Sequence, residues 1–346
     1  MTDTLVQDTA RRLFADLSTP AVVNAAEAGT WPKELWQAAV DAGFTDALAG
    51  AAERPGDLAG IADAAAILRE AGRHAVPLPL AETMLARWLL AGVGIAAPDG
   101  VLAVLPIARD KSFILRREGK VWRLSGMETA VPWAREAAGI VVIADGQVAC
   151  APPMQVDIRA GKSLAGEPRD DVSIDAVMEV AKPAPKGVDD ALVYRLGALM
   201  RSVMMAGAMD EVLKLTVQYA NDRVQFGRPI GKFQAIQQQL SILAENVAAS
   251  GVAAAVAVEA AAKGDLALAV AAAKSRVGEA AGKVAEIAHQ VHGAIGFTHE
   301  HRLHHLTRRL WSWRDEYGVE SEWSRELGRI AAARSGDGLW ELLTGS

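Results

Sequence analysis

The chain has 346 residues, more than a single hydrophobic core usually serves, so two or three subdomains are expected. A formal net charge of −6, with 23% charged residues, excludes the basic footprint of a nucleic-acid binder. Hydrophobic residues make up 51% but aromatics only 5%, so the apolar content is mostly Ala, Val and Leu, which favours helices. The lone cysteine, Cys150, rules out an intrachain disulfide and fits a reducing compartment. It lies in a strand-like apolar run and reads as a buried bystander. The start of the chain lacks the basic and apolar regions of a signal peptide. The most apolar window, residues 248–262, is alanine-rich, carries Glu259 and reads as too short and too weakly apolar to span a bilayer. A cytoplasmic protein with no membrane or nucleic-acid partner is expected.

Residues 1–97 read as a helical domain. In "TWPKELWQAAVDAGF", Thr30 is placed as an N-cap, Pro32 in the first turn and Gly43 at the end. In "DLAGIADAAAILREAGR", Asp57 opens a helix and Gly72 closes it, and "LPLAETMLARWLLAGVG" makes a third. Residues 98–184 change to short β-rich runs separated by Gly, Pro and Asp, with "ADGQ" as a hairpin turn. They form a small antiparallel β domain. Residues 185–346 return to helix. Leu192, Leu196, Leu199 and Val203 make one apolar stripe; Phe233, Ile236, Leu240, Leu243 and Val247 make another. Gly264-Asp265 separates two long helices. The fold expected is mostly α with a central β domain, closing in a long four-helix bundle.

Six of the seven histidines fall in "HQVHGAIGFTHEHRLHH", residues 289–305. His301 with His304 or His305 has helical metal-ligand spacing, but no HExxH and no cysteine pair supports it, so a solvated or anion-facing helix start, rich in His and Arg, is the plainer reading. "GVGIAA" at Gly92–Ala97 matches a dinucleotide fingerprint formally. It ends a helix and runs into Pro98, so it reads as a C-cap and linker. In "YANDRVQFGRPIGKFQAIQQQL", a helix ends near Arg223, a turn follows through Gly227, Pro229 and Gly231, and a helix starts at Phe233. An Arg fork beside Phe226 suits a phosphate attached to a flat ring; equally, Arg223 suits capping its own helix.

Residues 219–240 resemble the acyl-CoA dehydrogenase signature R-x-x-F-G-x-x-I-x-x-F/H-Q. The stretch Gln290-Val-His-Gly293-Ala294-Ile-Gly296-Phe297 resembles the family's Q-x-x-G-G-x-G-F. The resemblance covers nearly the whole chain, although the first two zones are short. It implies a flavoprotein that oxidises an acyl-CoA thioester between its α and β carbons, with FAD between subunits and an electron-transfer flavoprotein as electron acceptor. By motif position, Arg223, Phe226, Phe233, Gln234, Gln290, Gly293 and Ala294 would cover the adenosine diphosphate half of a neighbouring subunit's flavin. Ala294 replaces a usual Gly.

The family's carboxylate base has two usual places, which fall here on Gly197 and Tyr317; neither is acidic. Glu316 is the candidate for a relocated base, against a plain reading as a surface Asp-Glu pair. Where the family has W-I-T against the flavin ring, this chain has Ala130, Val131 and Pro132, and the family's G-S-D loop is missing. Contacts to its own flavin are thus mostly lost, and those to a partner's are mostly kept. The chain resembles the short, degenerate subunits of bacterial heteromeric acyl-CoA dehydrogenases acting on steroid side-chain or other bulky thioesters. The alternative is a non-catalytic scaffold subunit lacking its own base and flavin. Gly197 and Ala198 leave room for a bulky acyl chain or serve helix packing.

Overall fold

The computed structural model describes residues 4–50, 54–109 and 113–334, with 338 and 340. Among the described residues, five helices come first: α1 (Leu5–Leu17), α2 (Pro20–Glu27), α3 (Lys33–Asp41), α4 (Ile61–Arg73) and α5 (Leu80–Val93). Thr4 and Thr19 cap the first two by accepting from Gln7 and Val22 backbone N–H. Three of the expected caps differ. Gly60 rather than Asp57 precedes α4, with no side-chain cap bond. Pro32 rather than Thr30 precedes α3, and no side-chain cap bond forms there. Gly72 does not close α4 but lies inside it, because a Cβ there would sit 1.9 Å from the Met204 backbone oxygen. Gly207 meets the Arg69 carbonyl in the same way, so two glycines let α4 cross the following bundle helix backbone to backbone.

Eight strands follow: β1 (Leu102–Leu105), β2 (Phe113–Glu118), β3 (Val121–Pro132), β4 (Gly139–Ala144), β5 (Gln147–Ala151), β6 (Val156–Arg159), β7 (Arg169–Met178) and β8 (Ala181–Pro183). Lys111 and Ser112, read as part of the β2 run, lie outside the described residues. The strands form two four-stranded sheets, in the orders β1-β4-β5-β8 and β2-β3-β7-β6. Asp145 and Gly146, both with positive φ, make the expected β4–β5 turn. The antiparallel pattern has one exception. β1 pairs parallel with β4, since the β2–β3 hairpin carries the chain to the second sheet and back, replacing a helical crossover. Half-buried Cys150 lies on β5, where burial pushes its thiol up to about 11, so it is inert as a nucleophile.

The bundle consists of α6 (Asp190–Asp222), α7 (Gln234–Ala262) and α8 (Ala267–His292), closed by α9 (Leu303–Asp315) and α10 (Glu320–Ala332). A small hairpin of β9 (Val224–Gln225) and β10 (Arg228–Pro229) joins α6 to α7. Leu196, Leu199, Val203, Leu243 and Val247 are buried as their spacing requires. α7 corrects the reading of the alanine-rich window: the helix is 29 residues with a hydropathy of 1.6 over its most apolar stretch, long and apolar enough by length and composition to cross a membrane. It packs against α6 and α8, and 28% of that stretch is buried.

Candidate functional site

The antiparallel run of the bundle brings the end of α6, the start of α7 and the end of α8 to one pole. α6 stops at Asp222, and the Arg223 N–H donates to the Tyr219 carbonyl at 2.9 Å. The Arg223 carbonyl in turn accepts from Ile230 N–H at 2.8 Å, closing the hairpin over the helix end. Phe226 and Gly227 take positive φ at its tip, and the Phe226 ring is 92% exposed. Phe233 precedes α7, edge-on to Phe226 at 6.1 Å, with the Arg228 guanidinium 4.3 Å above its ring. The Arg223 side chain is exposed and has no side-chain partner among the described residues. It therefore does not cap its own helix carbonyls.

At the other motif, exposed Gln290 lies in the last turn of α8, and Gly293 ends that helix with φ +63. A Cβ at Gly293 would meet nothing within 4 Å, and Ala294 is exposed beside it. Tyr219 of α6 stacks on His292 of α8 at 4.6 Å, which ties the two motifs together. All seven residues expected at the flavin's adenosine diphosphate half thus share the pole, and Phe297 and Ile295 add exposed apolar surface. The first N–H groups of α7 carry no side-chain cap. With Arg223, Arg228 and Lys232 around them, the donor set suits a pyrophosphate.

The histidines differ from the solvated helix start expected. His289, His292, His304 and His305 are buried at the α8–α9 junction. His289 Nε2 lies 2.9 Å from Thr307 Oγ1 under a stacked Phe297, and His305 Nε2 lies 2.8 Å from Asn24 Oδ1. Burial pulls His292 down to about 4 and His305 to about 3, so both are neutral imidazoles that fill the junction. Among the described residues, no three His, Cys, Asp or Glu side chains are arranged to hold a metal ion.

The middle of the bundle has the opposite character. A cleft of about 1170 Å³ opens between the β domain and the helices, and Thr129, Ala130, Trp311, Glu316 and Tyr317 line it. The two base positions, far apart in sequence, are neighbours here: a Cβ on Gly197 would lie 2.2 Å from Tyr317 Cε1. Glu316 is not part of a surface pair. Its Oε1 accepts from Arg169 Nε at 2.8 Å and its Oε2 from Arg201 Nε at 2.6 Å. Burial alone would raise this carboxyl, but the two arginines override it and hold it below the usual carboxylate range.

The pairs continue in both directions. Arg201 reaches Glu82 on α5, while Arg169 reaches Glu167, which pairs with Arg309, itself bound to Glu27 on α2. The result is a buried ionic chain through all three zones. Nearby, the buried Lys274 ammonium donates to the Arg314 and Gly318 carbonyls at 2.6 Å each, and burial pulls it down to about 8. None of Arg169, Arg201, Lys274 or Glu82 came out of the motif reading. Their one trace is a charge standing in an otherwise apolar run, as in "GALMRSVMM" and "AVAAAKSRV".

Residues 194–314 match the model of the acyl-CoA dehydrogenase C-terminal domain. The acyl-CoA dehydrogenase IpdE2 of Mycobacterium tuberculosis (strain ATCC 25618 / H37Rv) is 30% identical over 313 residues, covering 87% of this chain and 88% of that protein. This chain belongs to the acyl-CoA dehydrogenase family. IpdE2 of Mycolicibacterium smegmatis (strain ATCC 700084 / mc(2)155) is 28% identical over 310 residues, 86% of this chain and 89% of that one. The fold matches the ChsE4–ChsE5 complex from Mycobacterium tuberculosis with a TM-score of 0.85 at 22% identity, covering 96% of this chain and 97% of that one. It also matches a variant of the Tcur3481–Tcur3483 steroid ACAD with a TM-score of 0.84 at 24% identity, covering 95% and 97%.

Proposed function

We propose that this chain is the flavin-clamping, base-less subunit of a heteromeric, FAD-dependent acyl-CoA dehydrogenase. The observation that carries this reading is the pole. There, a partner-free Arg223 guanidinium, the exposed Gln290 amide and the open Gly293 backbone meet beside the uncapped start of α7. FAD, when bound, would supply a hydride acceptor for the β hydrogen, with a carboxylate taking the α proton as the carbon–carbon double bond forms. On this reading, Arg223 and the α7 amides would hold the pyrophosphate, Gln290 would donate to it, and Phe226 and Phe233 would cover the adenosine side and exclude water. The complete partner subunit supplies the base.

Glu316 is a poor base. A proton-accepting carboxylate should sit near the working pH, but both Glu316 oxygens are bound by arginines and its basicity is lowered. The bulky acyl group, cytoplasmic location and electron-transfer flavoprotein acceptor belong to the same reading. The first draws support from the word "steroid" in the name of a structural neighbour.

The test is FAD affinity in the complex with a complete family subunit. Arg223→Ala should weaken FAD binding by about 10- to 100-fold, the scale of a lost hydrogen bond to a charged group. Unchanged affinity would rule the clamp out.

A further inference from the structure

We infer that Tyr317 is a fixed plug that closes this chain's own acyl site, so that no thioester α-carbon can reach either position from which a family base would act. The inference takes its meaning from the subunit reading above but its geometry from the ring alone. An ideal Cβ on Gly197 would lie 2.2, 2.4 and 2.5 Å from Tyr317 Cε1, Cδ1 and Cζ, distances no real side chain tolerates. Gly197 is therefore the residue that lets the ring in. The plugged site also gives no room to a base at 197, and the ring itself stands where the other base would begin.

The closure is held from several sides. Tyr317 is 4% exposed and sits at φ +52. Its carbonyl accepts from Trp323 Nε1 at 2.9 Å, and the carbonyls on either side of the loop accept from Lys274. The Arg201 guanidinium lies 5.8 Å from its ring centre, and Tyr194 packs edge-on at 6.1 Å. Tyr317 and Glu316 are among the residues that line the cleft between β domain and bundle. An apolar acyl cavity left empty would cost stability in a subunit that never uses it; an aromatic ring fills it.

A double-substitution cycle read by thermal melting of the full chain tests this. Alanine normally improves on glycine inside a helix. Here Gly197→Ala should instead lower the melting temperature by several degrees, because the ring cannot yield. With Tyr317→Ala, or Tyr317→Leu if the alanine variant does not fold, the added Gly197→Ala should be neutral or raise it by roughly 1–2 °C. With Tyr317→Phe, which keeps the ring, it should remain harmful. A Gly197→Ala chain as stable as the parent overturns the plug, as does equal harm in all three backgrounds. In the complex, octanoyl-CoA titrated by calorimetry should bind once per pair of chains; two per pair would overturn it as well. If the cycle holds while Arg223→Ala leaves FAD affinity unchanged, the plug stands and the flavin clamp falls.

Discussion

The pole and the middle of the bundle treat polar groups in opposite ways. At the pole, the Arg223 and Gln290 side chains are exposed with no side-chain partner among the described residues, Gly293 is exposed beside them, and Phe226 projects almost fully from its turn. In the middle, Arg169, Arg201 and Glu316 are buried and mutually paired, and the Tyr317 ring fills the space that a side chain at 197 would need. Polar groups left to water on a surface are available to a ligand, whereas groups buried in mutual ion pairs are already engaged. On the proposed reading, one end of this chain serves a ligand outside it, and the ion pairs at its centre serve its own fold.

The contrast is broken most severely in the ionic chain. Arg201→Ala strands buried Glu82 without its arginine and leaves Glu316 with Arg169 alone, and should lower stability by about 3–5 kcal/mol, seen as a large drop in denaturant midpoint or loss of soluble protein. A change below 1 kcal/mol would mean the network is solvated.

Next is acid. His292 is held neutral with a lowered value of about 4 against an ordinary 6.5. The unfolded chain therefore takes up a proton below pH 6.5 that the folded chain refuses. Stability present above 6.5 is lost as pH falls towards 4, by on the order of 2–3 kcal/mol from His292 alone. Melting curves from pH 7 to 4 should show this fall, and His292→Gln should flatten it. An unchanged slope would show that the imidazole is already charged in the fold.

Smaller again is the pole itself. Phe226→Ala should leave the folding stability of the chain within about 0.5 kcal/mol of the parent, since an exposed ring contributes little to folding. It should still weaken FAD retention in the complex several-fold. Loss of folding stability instead would place the ring in this chain's own core.

The pole was legible in the sequence because its signals are local. Gly227, Pro229 and Gly231 punctuate a turn between two apolar stripes, and Arg223 and Phe226 stand at fixed offsets from them. The middle was not, because its contacts are long-range. Gly197 and Tyr317 meet only after α6 and the α9–α10 loop pack, and a missing Cβ leaves no mark in the sequence to say what occupies its place. Gly72 failed for a related reason, since a glycine that ends a helix and one that admits a crossing helix read alike. Glu316 beside Asp315 looked like a surface pair because its arginines come from β7 and α6. The histidine run misled in the same direction: its density suggested solvent, but α8 and α9 fold it into their junction.

The division of labour between pole and middle is tested most directly by counting flavin. Purify the chain together with a complete family subunit and measure FAD against protein from the visible spectrum. One FAD per two chains is the result expected, with none retained by this chain on its own. Stoichiometric yellow FAD and acyl-CoA turnover from this chain alone would contradict it.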